Sequence, residues 1–286
     1  MRIVNGVTAL QDALMAVSTV SGPVLVPTMG ALHAGHIALI QRGRGLGSPL
    51  VASIFVNPTQ VNAEADLAAY PRTLDEDAAA CRAAGVDVLF SPDESEVYPP
   101  DENVPVPPLP AVATAPGLED AHRPGHFDGV CQVVARLFDL VRPRHAVFGL
   151  KDYQQWLVVN AMVAAAADDT PDRWPGLELT GVETVREPGG LAMSSRNARL
   201  STDERACARG LGLALQSAAA ANHPAAAETL MRETLEGFGL SVEYAVVRDA
   251  QTLLPVESFS RPTRALVAAH VGKARLIDNA GLPVWS

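Results

Sequence analysis

A chain of 286 residues, 48% hydrophobic and 19% charged, can bury a large core and fill two domains, and it is too apolar to be disordered. Its net charge of −10 excludes the basic footprint of a nucleic-acid binder, so any anionic substrate must be drawn in by a local positive site. Three separated cysteines without a C-x-x-C, polar residues early in the N-terminal run, and no apolar stretch of membrane length lead us to expect reduced thiols, a cytoplasmic location and no membrane partner.

In chain order, residues 8–18 have the spacing of a short amphipathic helix. Val24–Pro27 then forms a short buried strand, broken by Thr28, Met29 and Gly30 before a helical period begins near Leu32. The glycines of Arg42–Ser48 end that helix. Leu50–Val56 is a second strand stopped by Asn57-Pro58, Leu74–Ala84 a helix, and Val86–Phe90 a third strand. Tyr98–Pro124 holds eight prolines and reads as a long ordered excursion, since α/β alternation resumes with helix Val130–Val141, strand His145–Gly149 and helix Asp152–Ala166. The alternation predicts a parallel, doubly wound sheet with ligands at the carboxyl ends of its strands. From about Pro171 the character changes. A strand-like Leu177–Val185, helices near 202–220 and 224–237, and strands near 241–247, 265–271 and 274–278 predict a small α+β domain with an antiparallel sheet. We therefore expect domains at 1–172 and 173–286.

The chemistry concentrates where strands end. His33 and His36 stand three apart and are expected on one face of a helix's first turn, where unpaired N–H groups and the helix dipole attract phosphate; Gly30 and Gly35 let a ligand come close. A plain β–α turn with two surface histidines is the competing reading. Among 22 basic residues only Lys151 and Lys273 are lysines, so a mobile point charge is expected to matter at one of them, although codon bias explains the arginines.

PTMGALHAGH, SIFVNPTQ, YPRT, RPGHFDGV, FGLKDYQQ and LAMSSRNARLS, in that order from Val24 to Ser201, resemble the pantothenate synthetase (pantoate–β-alanine ligase) family, one branch of the H-x-G-H nucleotidyltransferases. The resemblance implies an α/β fold, a Rossmann-like ATP- and pantoate-binding domain followed by a smaller C-terminal lid domain, and a homodimer. It implies an AMP-forming ligase of pantothenate biosynthesis with ATP, pantoate and β-alanine as small-molecule partners, no nucleic acid, and Mg2+ arriving with ATP. Pantoate's carboxylate would attack the α-phosphate to give pantoyl adenylate and pyrophosphate, and the amine of β-alanine would then displace AMP.

Carried onto this sequence, the resemblance makes His36, with His33, the catalytic pair, and gives ATP phosphates to Lys151 and Arg196. The same ATP site takes in Met29, Gly30, Ala31, Leu32, Ala34 and Gly35 around the histidines, and Gly149, Leu150 and Asp152 after the fourth strand. It closes with Val185 and with Met193, Ser194 and Ser195. Gln60 and Gln155, neutral amides that bind a carboxylate and hydroxyls without quenching the nucleophile, match pantoate contacts, and Asn57 a further substrate contact. Asp77 and Glu76 are the candidates for magnesium, although an acidic pair at a helix start needs no metal to explain it. Leu150, Val61, Asn62, Ala63, Gln132 and Ala34 depart from the family's usual residues, and none removes a reacting group. Another H-x-G-H transferase acting on a phosphate, or a silent nucleotide-binding module, are the rival readings.

Overall fold

A computed structural model describes residues 1–17, 19, 21–60 and 70–284. The departures at Val61, Asn62 and Ala63 lie outside the described residues. The chain divides into two compact units, one of residues 1–150 with 155–183 and one of 151–154 with 184–286.

In the first unit the parallel strands are β1 (Arg2–Val4), β2 (Val24–Thr28), β3 (Leu50–Ile54), β4 (Val88–Phe90), β5 (His145–Gly149) and β6 (Glu178–Val182), in the order β1-β4-β3-β2-β5-β6. The helices are α1 (Val7–Ala16), α2 (Ala34–Arg44), α3 (Leu74–Ala83), short α4 (Glu94–Val97) and α5 (Glu119–His122), α6 (His126–Val141) and α7 (Tyr153–Asp169). Leu25, Val51, Phe90 and Phe148 pack in one core with buried residues of α1 and α6, while Val24, Val26, Leu50 and Leu89 pack in another with α2 and α3. A strand buried on both faces is mostly apolar, which is why β2 and β3 read as near-continuous runs without alternation, with only Thr28 and Ser53 as buried polar residues in them.

Three expectations need correction. β1 escapes the sequence reading, because three edge residues give no periodicity. The strand expected to open the second domain is β6, which pairs in parallel with β5 from His145↔Glu178 to Gly149↔Val182, so the division expected at 172/173 falls at 183/184. The Pro-rich excursion carries α5 and a 3-10 turn, and α4 stands just before it; all are too short for any hydrophobic period to show.

The topological switch lies between β2 and β5, and the ladder explains why a crevice opens there. Val24 donates to Pro49 and Thr28 accepts from Phe55, so the even residues of β2 face β3. Pro23, on the β5 side, accepts from Arg144. Pro27 therefore faces β5, where it has no N–H to give. Pairing of β2 with β3 runs from Val24 to Thr28, whereas pairing with β5 covers only Val24 and Leu25. The carboxyl ends of the two central strands are left unlaced.

In the second unit α8 (Thr202–Ala218) and α9 (Pro224–Gly237) cover an antiparallel sheet of β7 (Ser241–Asp249), β8 (Thr263–Val271) and β9 (Ala274–Leu282), as the sequence predicts. Ser201 caps α8 in a capping box with Glu204. Burial pushes the thiols of Cys81 and Cys131 up to about 11 and about 12, each helped by an aspartate (Asp77, Asp128), so both are inert core residues. Among the described residues no helix is long and apolar enough to cross a membrane.

Candidate active site

The turn after β2 is built around one buried carboxylate. Gly30 (φ 82°) and Ala31 (φ 50°) are both left-handed, a conformation that costs a non-glycine residue about 1–2 kcal/mol. Asp77, 3% exposed on α3, holds it: one oxygen accepts from Ala31 N at 2.9 Å and the other from Leu32 N at 2.7 Å. Thr73 Oγ1 adds a third donor at 3.3 Å, and Thr28 Oγ1 accepts from Gly30 N at 3.2 Å. A Cβ on Gly30 would lie 3.1 Å from that carboxylate, so glycine is required twice over, by φ and by space.

This corrects the magnesium assignment. Both oxygens of Asp77 are taken by protein donors, its carboxylate is withdrawn from solvent, and the described residues hold no cluster of His, Cys, Asp or Glu able to bind a metal ion. The residues present do not fit a protein-held cation, and no step is drawn through one.

The histidines are also placed differently from expectation. His33 is the N-cap of α2, not a residue of its first turn. Its Nδ1 accepts from Gly35 N at 3.1 Å, and His36 Nδ1 accepts from His33 N at 3.3 Å, a capping box made of two imidazoles. A ring nitrogen that accepts from an amide carries no proton, so both rings are neutral with the proton on Nε2. Their centroids are 4.1 Å apart. The first turn of α2 has no acidic residue of its own and its last turn carries Arg42 and Arg44, but the Asp77 carboxylate already sits on the two amides that precede the N-cap, so an anion here depends on the imidazole donors as well as on the helix end. Two N–H donors at Nε2 and a helix N-terminus make an arrangement suited to charge building on phosphoryl oxygens. Met29, Ala31, Leu32, Gly35 and His36 are half-buried around it and Ala34 is exposed.

The NPTQ segment forms a 3-10 turn, Pro58–Gln60, after β3. Asn57 is 1% exposed, its Nδ2 donates to Gly129 O at 3.0 Å, and its Oδ1 accepts from Thr59 N and Oγ1 and from Tyr98 OH. An amide so engaged holds the turn against α6. Burial pushes the Tyr98 phenol up, against the lowering effect of Thr59 and Asn57, so it stays a donor to that amide. By contrast the side-chain amides of Gln60 and of Gln155, in the first turn of α7, are half-buried with no hydrogen bond among the described residues. Gly149 ends β5 and is half-buried; Leu150 N donates to Val182 O at 2.8 Å, so that N–H is committed within the first unit.

The second unit holds the cations. Lys151 is partly buried, with Nζ 3.8 Å from Asp152, which is exposed. Its carbonyl accepts from Asn279 Nδ2 at 2.7 Å; Asn279 Oδ1 accepts from Arg264 Nε at 2.6 Å, and the Arg264 guanidinium lies 3.7 Å over the Tyr153 ring. Tyr153 OH donates in turn to Ala250 O at 2.8 Å. Val185 begins a hairpin closed by Met193 N donating to Val185 O at 2.9 Å. Ser194 caps the 3-10 turn Ser195–Arg199, its Oγ accepting from Arg196 N at 3.2 Å. The Arg196 side chain is exposed and bonds to no carboxylate among the described residues. Glu187 fixes this loop: Oε1 accepts from Asn197 Nδ2 at 2.8 Å and Oε2 from Arg205 Nη1 at 2.5 Å. Arg186 makes a two-point pair with buried Asp278 on β9. Sequence reading finds neither Asn279 nor Glu187, since an anchor far along the chain leaves no spacing to see.

The comparisons agree along the whole chain. The family model for pantoate-beta-alanine ligase matches residues 2–281. The pantothenate synthetase of Thioalkalivibrio sulfidiphilus is 48% identical over 270 residues, 91% of this chain and 89% of its own. That of Thiobacillus denitrificans is 44% identical over 98% of this chain and 96% of its own. Among solved structures, pantothenate synthetase from Thermus thermophilus superposes with a TM-score of 0.89 at 41% identity, covering 98% of this chain and 99% of its own. Pantoate-beta-alanine ligase from Francisella tularensis, complexed with beta-gamma ATP and beta-alanine, does so with a TM-score of 0.79 at 30% identity, covering 98% and 97%. With a family match of this extent and relatives this similar over nearly their full length, the chain belongs to the pantoate–β-alanine ligase family.

Proposed function

We infer that this protein is an ATP-dependent ligase that condenses pantoate with β-alanine to give pantothenate. What carries the reading is the family match over residues 2–281, on a chain whose β2–α2 turn keeps both histidines as Nε2–H donors at the N-terminus of α2. In the first step a pantoate carboxylate oxygen attacks the α-phosphorus of ATP, the bond to the β-phosphate breaks, and pyrophosphate leaves. In the second the β-alanine nitrogen attacks the acyl carbon of pantoyl adenylate, AMP departs, and the nitrogen loses its proton to solvent. Neither step asks for a covalent protein intermediate, so alignment and charge stabilisation carry the catalysis.

His36 and His33 are assigned to the phosphoryl charge through Nε2–H. Lys151 and Arg196 are assigned to the phosphates, with donors from Ser194 and Ser195, and Gly149, Leu150, Asp152, Val185 and Met193 to the nucleotide. Gln60 and Gln155 take pantoate through their uncommitted amides, and Asn57 serves them by holding the turn. Magnesium belongs to this scheme as part of the Mg-ATP substrate, held by phosphate oxygens. The enzyme works as a homodimer, in keeping with the resemblance, and three unpaired cysteines support a cytoplasmic location.

The reading is tested by product analysis. AMP and pantothenate should appear in equal amounts only when ATP, pantoate and β-alanine are all present. Transfer of the adenylyl group to a phosphate-bearing acceptor, with pantoate inert, would overturn it.

A further inference from the structure

The RPGHFDG run, quoted for the family likeness, has no part in the reaction as assigned, yet it grips the Gln60 turn. The Gln60 carbonyl accepts from His126 Nδ1 at 3.1 Å and from Arg123 Nη2 at 3.4 Å. Asn57 Nδ2 reaches Gly129 O on the same helix, α6. Gly129 is what lets that helix come so near: a Cβ there would lie 2.3 Å from Thr59 O, which no side chain survives.

The partners of His126 determine its protonation. A carbonyl can only accept, so Nδ1 carries the proton. The guanidinium of Arg123 can only donate, and its Nη1 lies 3.0 Å from Nε2, so that nitrogen holds a lone pair. His126, 4% exposed, is therefore the neutral Nδ1–H tautomer, opposite to that of His33 and His36. Glu119, 5% exposed, balances Arg123 from 3.8 Å and keeps it aimed.

We propose that His126, oriented by Arg123, is the positioning residue that sets the Gln60 amide for the hydroxy acid. Two donors on one carbonyl tether the Gln60 main chain, and with it the Cα from which the amide side chain projects. A displacement of about 1 Å in a substrate-aligning group is enough to cost up to about 100-fold. The proposal rests on the assignment of Gln60 to pantoate, so the test separates the two.

Two near-isosteres of histidine give the test. The amide nitrogen of asparagine takes the place of Nδ1 as donor to the Gln60 carbonyl, and the amide oxygen of glutamine takes the place of Nε2 as acceptor from Arg123. With ATP and β-alanine saturating, His126→Asn should keep the pantoate KM within about threefold of wild type, and His126→Gln should raise it about tenfold, for one lost buried hydrogen bond. ATP KM and the midpoint of thermal unfolding should match between the two variants. Equal pantoate KM in both, or a rise in ATP KM as large as that for pantoate, overturns the positioning role. Gln60→Ala should raise the pantoate KM at least as much, and adding His126→Gln to it should raise it no further. If Gln60→Ala leaves pantoate KM unchanged, the glutamine assignment itself has failed. If Gln60→Ala raises it and His126→Gln does not, only the role of His126 has failed.

Discussion

The histidine turn of the first unit and the SSRN loop of the second are both irregular backbone, but they are held by opposite means. The former is clamped by one buried carboxylate: Asp77 takes the N–H groups of Ala31 and Leu32, and the strained φ of Ala31 is maintained by charge-assisted hydrogen bonds in a dry setting. The latter is moored by a partly wet net, in which Glu187 joins Asn197 to Arg205 and Arg186 pairs with Asp278. Each region yields in its own way. A single buried clamp fails all at once, because removing it orphans two amides, whereas a net of partly exposed pairs loses strength in portions.

The largest effect should come from Asp77→Ala. It strands the N–H groups of Ala31 and Leu32 and should cost about 2–4 kcal/mol of stability. Adenylation should fall on the order of 10³-fold, as the histidine donors lose their preorganisation. Denaturant titration and pyrophosphate release check both; a stable, active variant would remove the clamp from the account. Glu187→Ala should be milder. Arg205 is 41% exposed and its pair contributes little, so the loss is mainly the acceptor for Asn197, about 1 kcal/mol, with ATP KM rising several-fold and pantoate KM unmoved. A loss as large as that of Asp77→Ala would erase the contrast between the two regions.

Lys151→Arg is the finest probe. A rotatable ammonium follows oxygens whose charge shifts as pyrophosphate leaves, while a guanidinium fork prefers one bidentate geometry. Adenylation should fall about tenfold, roughly 1.4 kcal/mol, with folding unaffected. The exposed Lys273→Arg is the control and should be silent. Full activity in Lys151→Arg would make that residue an ordinary surface lysine.

What the sequence discloses follows from how far each signal extends along the chain. His145–Gly149 has the bounds expected of it because a buried apolar strand between turn residues is self-contained. β6 reads as part of the wrong domain because its partner, β5, lies a whole helix earlier. The histidines, glutamines and Lys151 stand out as chemistry at strand ends. Asp77 stands out too, but as a metal ligand, because its bonds to Ala31 and Leu32 bridge 46 and 45 positions. Asn57 has a structural role that is equally hidden: a turn asparagine looks the same in sequence whether or not it bonds to Gly129. Residues assigned to substrates are legible by type and place; residues that hold the turns around them are legible only once the chain is folded.

The neutral histidine pair on the α2 N-terminus is assigned to drive adenylation of pantoate. That role is probed by pantoate-dependent exchange of labelled pyrophosphate into ATP, measured without β-alanine. The wild type should exchange label only when pantoate is present, and His36→Ala, with an unchanged midpoint of unfolding, should lose on the order of 10²-fold or more. Exchange that needs β-alanine, or that survives intact in a folded His36→Ala protein, would contradict it.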